Sequence, residues 1–402
     1  MMAALMLLID KGSYVMTDSC YCMLESLSVF RGILKDEVIS RLRTLFREKT
    51  LESYGEFVHA LYKHTDNLTE YMMSIVLEDE NCYMLSLAMM QEVSDTINKA
   101  AHNELAALQQ IARITPQQMM QFTNLYGSLA EWSVSHINFL AVYAERMSVL
   151  QTKGYGIFAK YHAFCYKNNA ITPVKTPDPQ TLASLKGYEL ERKKIVDNTL
   201  ALIDGKNAAN ALIYGDAGTG KSSTVKAVLN EYKDEGLRLI ELKKSQLHDL
   251  PAVIEAVAHN PLKFIIFIDD LSFSSDDDDF GALKAVLEGS VSSRTSNVVI
   301  YATSNRRHLV KEKFSDRDGD EIHAADSREE LVSLSERFGL KVTFVKPDKE
   351  LFLKIVKFLC EQYNVIYDDD MQRRAEAFAL RRNGRSGRVA RQFVEMAKSG
   401  LV

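Results

Sequence analysis

Apolar residues change their spacing about midway along the chain. Before residue 170 they recur every three or four positions. Phe30, Leu34, Val38, Leu42 and Leu45 form one such series, and Val93, Ile97, Ala101, Leu105 and Leu108 another. That period turns one side of an α-helix toward an apolar core. Thr115-Pro116-Gln117-Gln118 has the marks of a helix start: a hydroxyl cap, proline in the first turn, and glutamine three residues after the cap. The stripe Met119, Phe122, Leu125, Leu129, Trp132 and Ile137 follows at helical spacing. After residue 210 the apolar residues gather into short runs: Ala211–Tyr214, Leu237–Leu242, Lys263–Asp269, Val298–Thr303 and Lys341–Val345. Such runs, separated by helical stretches, predict parallel strands covered on both faces. From about Asp348 the pattern is helical to the end.

Composition marks the same division. Residues 171–180 hold three of the seven prolines, which favour extended backbone and cannot propagate a helix. Thirteen of the 15 methionines precede this stretch, and 13 of the 19 glycines follow it. The chain therefore divides into an all-α N-terminal domain (1–170), a proline-rich linker (171–184), an α/β core (185–346) and a C-terminal helical lid (347–402). The methionine-rich first part reads as the core of a helical bundle more readily than as a partner groove.

At 402 residues, 46% hydrophobic and 26% charged, with a formal net charge of −5, the chain has no global basic field for nucleic acid. Met1 to Ile9 is apolar but too short to span a bilayer, and no other stretch reaches membrane length. The five cysteines are scattered, with no zinc-type spacing. These features predict a cytoplasmic protein without structural zinc.

One motif carries most of the chemistry. Gly215-Asp216-Ala217-Gly218-Thr219-Gly220-Lys221-Ser222, followed by Ser223, stands between a predicted strand and a predicted helix reaching about Tyr232. Glycines at 215, 218 and 220 let the loop turn its backbone N–H groups into one small cavity. Lys221 then reaches the β- and γ-phosphates of a nucleoside triphosphate, and Ser222 is placed to hold Mg²⁺ at the positive helix N-terminus. The run Phe264–Ile268 ends in Asp269 and Asp270, at the strand end that faces a ligand crevice. Asp269 is thereby placed for the metal shell beside Ser222, and Asp270 to orient or deprotonate the attacking water. An extra strand and helix, Leu237 to about His259, separate the loop helix from the acidic strand. Val298–Asn305 fits the further central strand of the additional-strand ATPases, with Asn305 at its tip.

With these strings in view, the stretch from Leu185 onward resembles an AAA+ ATPase. It is similar to a bacterial family of predicted ATP-binding proteins known as domain of unknown function 815. Ser333 to Leu340 and Gly384 to Phe393 extend the resemblance. It implies an AAA+ P-loop core with a five-stranded parallel sheet, a helical lid, ATP and Mg²⁺ as ligands, and hydrolysis to ADP and phosphate. It implies a sensor role for Asn305, an arginine finger at Arg337, a second sensor at Arg388, and an adenine-contacting segment around Tyr188. It also implies a homo-oligomer, ring or open ring, that remodels or loads a protein or nucleic-acid client. Many members carry Asp-Glu where this chain has Asp269-Asp270, a side chain one methylene shorter.

Two alternatives stay open at the level of sequence. A nucleotide-gated switch with little hydrolysis needs the same loop, and a small-molecule kinase is disfavoured by the intervening strand and by Asn305. The arginines crowding the lid (Arg373, Arg374, Arg381, Arg382, Arg385, Arg388 and Arg391) form either a nucleic-acid patch or a solvated face plus one phosphate sensor. The lack of interleaved aromatics favours the second. The acidic run Asp276–Asp279 and the stretch Ser315–Glu330 read as exposed loops.

Overall fold

The computed structural model describes residues 18–272, 279–288, 296–305, 334–382 and 384–401. The chain divides into two compact units, Met1–Lys160 and Tyr161–Val402. The apolar start at residues 1–9 and the expected loops at 276–278 and 315–330 lie outside the described residues.

The first unit is helical: α1 (Glu37–Glu48), α2 (Leu51–Tyr62), α3 (Leu68–Glu78), α4 (Cys82–Ala88), α5 (Asp95–Ala112), α6 (Pro116–Thr123) and α7 (Phe139–Ser148). Apart from α4, whose Met84 and Ala88 pack with Leu150 and Tyr155, their apolar faces meet in one core around Phe30, Leu42, Phe57, Leu105 and Trp132. The predicted start at Thr115 is a true capping box, with Thr115 and Gln118 each accepting the other's backbone N–H. The stripe beyond it is not one helix. α6 stops at Thr123, Asn124 takes a left-handed conformation (φ 56°), and Gly127 sits at φ 131°. Leu125, Leu129 and Ile137 still pack on the core, from a loop. Trp132 sets its ring edge-on to Phe57 at 5.1 Å and donates its indole N–H to the Ile114 carbonyl at 2.9 Å. Helical spacing was satisfied there by residues that pack without being helical.

Among the described residues, the second unit is built on a sheet of seven strands: β1 (Ala163–Lys167), β2 (Ala170–Pro173), β3 (Ala211–Gly215), β4 (Leu237–Leu242), β5 (Lys263–Ile268), β6 (Val298–Ser304) and β7 (Leu340–Phe344). Their order is β2-β1-β4-β5-β6-β3-β7. All neighbours run parallel except β1 and β2. The five strands expected from sequence are present, and two more lengthen the sheet.

Those two come from residues assigned above to the end of the helical domain and to the linker. Ala-Phe-Cys-Tyr-Lys and Ala-Ile-Thr-Pro pair across Asn168-Asn169, both at positive φ (50° and 58°). This is the primed hairpin turn whose twist suits the flanking strands. Proline is tolerated in β2 because that strand lies at the sheet edge. Beyond it the chain is held down rather than loose: Asn230 donates to the carbonyls of Asp178 (2.8 Å) and Gln180 (2.7 Å).

Helices α8 (Glu189–Ile203), α9 (Lys221–Tyr232), α10 (Leu250–Val257) and α11 (Asp279–Glu288) belong to the same unit. Phe264 to Ile268 are all fully buried, which explains why β5 is apolar without alternation. Tyr301, buried in the middle of β6, spends its hydroxyl on Asn198 and Thr199 of α8 (3.0 and 2.9 Å). The C-terminal helices α12 (Lys349–Tyr363), α13 (Asp369–Arg381) and α14 (Gly387–Lys398) enclose a small core of their own around Phe352, Val356, Ala375 and Phe393.

Candidate functional site

The C-terminal ends of β3, β5 and β6 open onto a cleft of about 470 Å³, the size of a small-ligand site. Ala217 to Ser223 form one wall, joined by Asp269 and Asp270 from the end of β5 and Asn305 from the end of β6. Arg388 and Arg391 of α14 close over it, together with Ile355, Phe358 and Leu359 of α12. Leu185, Lys186, Tyr188 and Arg192 also line it.

Two helix N-termini face this space. α9 starts from Gly220 (φ 95°), and α14 is capped by Ser386, whose hydroxyl accepts the Val389 N–H at 3.2 Å. The Arg388 N–H donates to the Gly218 carbonyl at 3.1 Å, so the first turn of the lid helix rests on the loop. A side chain at position 218 would press on Arg388 Cβ and Ser386 Oγ, both at 3.1 Å. Partial positive charge from both helix ends suits an anion in the cleft.

The charged groups here bond to neutral partners. Lys221 donates to the carbonyls of Gly215 (2.9 Å) and Asp216 (2.7 Å) and to Asn305 Oδ1 (2.9 Å). Burial pushes its ammonium below the usual lysine range; Asp216, Asp270 and Asp269 oppose that shift and Arg388 adds to it. Asn305 Nδ2 donates in turn to Asp270 Oδ1 at 2.8 Å. Ser222 Oγ lies 2.6 Å from Asp269 Oδ1. Asp270 itself adopts a left-handed conformation (φ 53°), which swings its carboxylate away from the strand direction.

Two residues assigned to the ligand from sequence, Gly215 and Asp216, do not line the cleft, for physical reasons. Gly215 lies outside the cleft lining, and a Cβ there would stand 2.0 Å from the Phe344 carbonyl. Its missing side chain lets β3 lie against β7. Asp216 also lies outside the lining: its carboxylate accepts the Lys346 N–H at 2.7 Å, at the passage from β7 to the lid. Arg337, just after the short helical turn 334–336, is not among the residues lining its own chain's cleft. Tyr188 does line it, yet its hydroxyl is committed to the Val345 carbonyl at 2.7 Å and its ring to Phe344.

Arg192, Thr303 and Arg391 line the cleft without having been picked out as ligand contacts. Arg391 is one turn beyond Arg388 on α14, a spacing that could have suggested it, and is held by Gln180 Oε1 at 3.1 Å. Four of the remaining lid arginines have other partners. Arg385 grips Glu376 with two bonds (2.9 and 2.7 Å), Arg373 and Arg374 both approach Asp370, and Arg382 lies over the Phe378 ring.

The strand order in which β6 separates the loop strand β3 from the acidic strand β5, with the C-terminal helices resting on the loop, is that of the AAA+ P-loop fold. Residues 159–401, more than half of the chain, match the family described as protein of unknown function (DUF815), and the chain belongs to that family. Among curated proteins, the replication factor C large subunit of Staphylothermus marinus is 30% identical over 117 residues. That match covers 27% of this chain and 27% of that protein, so the chain spans about a quarter of its relative's length. Among solved structures, RuvB of Thermotoga maritima aligns with 55% of this chain and 65% of its own at 15% identity, with a TM-score of 0.38. The FIGL-1 AAA domain in complex with ADP aligns with 56% of this chain and 74% of its own at 18% identity, with a TM-score of 0.39. No helix among the described residues is long and apolar enough to cross a membrane.

Proposed function

We propose that residues 161–402 bind ATP with Mg²⁺ and hydrolyse it to ADP and phosphate as part of an oligomer, and that turnover works on a protein or nucleic-acid client. The observation that carries this reading is the convergence of Lys221, Ser222, Asp269, Asp270, Asn305 and Arg388 on one cleft. Ser222 Oγ and the Asp269 carboxylate are hard oxygen donors side by side, the donor set that suits Mg²⁺. When bound, the ion neutralises charge that builds on the phosphate oxygens.

The chain's own groups do the rest. Backbone N–H groups of Ala217 to Ser222 receive the phosphates, and Lys221 exchanges its loop carbonyls for the β- and γ-oxygens. Ile355, Phe358 and Leu359 offer an apolar surface to the base. Asp270, steadied at Oδ1 by Asn305, accepts the proton of the attacking water. The water oxygen bonds to the γ-phosphorus as the bond to the β-phosphoryl oxygen breaks, and ADP leaves with that electron pair. Arg388 steadies the charge from the lid. Arg337, outside the cleft of its own chain, acts on that of a neighbouring copy, which makes hydrolysis depend on assembly.

The test is phosphate release by the full chain in MgATP, comparing wild type with Asp270→Asn. Loss of the proton acceptor is expected to slow release by about 100-fold, with ATP affinity kept within about threefold. Release no faster than background by both proteins, with ATP still bound, would replace the hydrolytic reading with a nucleotide-gated switch, and equal release above background would remove Asp270 as the proton acceptor. Adding DNA to the same assay separates the client classes: stimulation favours nucleic acid, indifference a protein.

A further inference from the structure

Thr303, one residue before the end of β6, is 1% exposed and touches both acidic residues at once. Its hydroxyl donates to Asp269 Oδ1 at 2.5 Å and accepts the Asp270 N–H at 3.0 Å. Its carbonyl takes the Leu271 N–H at 2.7 Å, so the turn leaving β5 is tied to β6 on either side of the two carboxylates. Asp269 Oδ1 also receives Ser222 Oγ (2.6 Å) and the Asp270 N–H (3.2 Å). Three donors fill Oδ1, and among the described residues none bonds to Oδ2. The carboxylate therefore cannot rotate without breaking bonds, and Oδ2 is the oxygen left for a ligand.

The same hydroxyl holds Asp270 in its left-handed conformation (φ 53°), which an aspartate adopts only with local support. Without the bond from Thr303, the Asp270 N–H keeps only the longer bond to its neighbour's carboxylate, and the turn is left to the Leu271 N–H on the Thr303 carbonyl and to Asn305.

We infer that Thr303 is a positioning residue of the hydrolytic site: it orients Asp269 toward the divalent cation and fixes the turn that presents Asp270. The inference rests on the function proposed above. Valine has nearly the shape of threonine but neither donates nor accepts, whereas serine keeps the hydroxyl and loses only the methyl group. The loop residues that hold the phosphates make no bond to Thr303, so nucleotide binding without metal does not depend on it.

The experiment uses the full chain with Mn²⁺ as the probe, followed by electron paramagnetic resonance in the presence of saturating ADP. Thr303→Val is expected to weaken Mn²⁺ binding by about tenfold and to slow phosphate release from MgATP by about 10–100-fold. ATP affinity in EDTA is expected to stay within about threefold of wild type, and Thr303→Ser to recover Mn²⁺ affinity to within about threefold. Thr303→Ala carries the same expected loss should the valine variant melt early. Wild-type Mn²⁺ affinity and turnover in the valine or alanine variant would overturn the inference. So would a serine variant as impaired as valine, since the hydroxyl would then not be the working group. Failure of the wild-type protein to bind ADP would instead overturn the underlying functional reading.

Discussion

Glu104 in the helical unit and Asp269 in the sheet unit are both carboxylates drawn into the fold, and they end in opposite conditions. Glu104 is consumed: it accepts the N–H groups of Ser28, Val29 and Phe30 and the Ser28 hydroxyl, using both oxygens. It serves as a clasp for the turn that leads into α1. Asp269, which lines the cleft, is saturated on one oxygen only, by Ser222, Thr303 and Asp270, and among the described residues nothing bonds to the other. A carboxylate satisfied on every side stabilises; one satisfied on half its lone pairs is oriented and still available. Depth of burial alone does not separate structure from chemistry. What separates them is whether hydrogen-bonding capacity is left over, and where it faces.

That contrast can be broken by substitution. The largest effect is expected at Arg337, which lies outside the cleft of its own chain. Arg337→Ala should cut phosphate release by about 10³-fold while leaving ATP affinity unchanged. Mixing it with Lys221→Ala subunits, which have an intact Arg337 and a dead loop, should restore part of the turnover. No recovery on mixing would argue against action between copies. Glu104→Ala comes next. It should lower the stability of the helical unit by about 1–3 kcal/mol in chemical denaturation, because several donors lose their acceptor. ATP turnover per folded molecule should not change; a turnover defect would erase the distinction between the two carboxylates.

The smallest effect concerns the Glu376–Arg385 pair of the lid. The Arg385 hydrogen bond holds the Glu376 carboxyl below its ordinary 4.5, with burial opposing and Arg385's charge assisting. A carboxylate with a depressed folded-state value stabilises fully above the unfolded value and loses that contribution as pH falls through the folded one. Glu376→Gln should therefore cost about 0.5–1 kcal/mol at neutral pH. Its difference from wild type should close as the pH drops below 4.5. A difference that persisted into acid would mean that packing, rather than charge, is what Glu376 supplies.

Much of the sheet unit could be read in advance, because a phosphate-binding loop fixes residue types at fixed spacing and a doubly covered strand must be apolar along its length. Side-chain direction was less legible. Gly215 and Asp216 stand inside the motif, yet one makes room for the Phe344 carbonyl and the other caps the Lys346 N–H. A motif records that such residues are needed without saying which neighbour needs them. The β1–β2 hairpin was missed because Asn168-Asn169 turns the chain without a glycine, and because Pro173 belongs to an edge strand. The loop after α6 keeps helical spacing while Asn124 and Gly127 break the helix. Thr303 has no motif of its own, and its position emerges only when β5 meets β6, whereas Arg391 was signalled only by its spacing from Arg388.

The central claim is that the cleft at the ends of β3, β5 and β6 is built for a nucleoside triphosphate. Calorimetric titration of the full chain with ATP in magnesium tests it most directly, beside the same titration of Lys221→Ala. The account predicts one ATP per chain for wild type and an affinity at least about 100-fold weaker for the variant, since the ammonium's charge-assisted contacts to the phosphates are gone. A wild-type chain that takes up no ATP, or a variant that binds it equally well, would contradict the account.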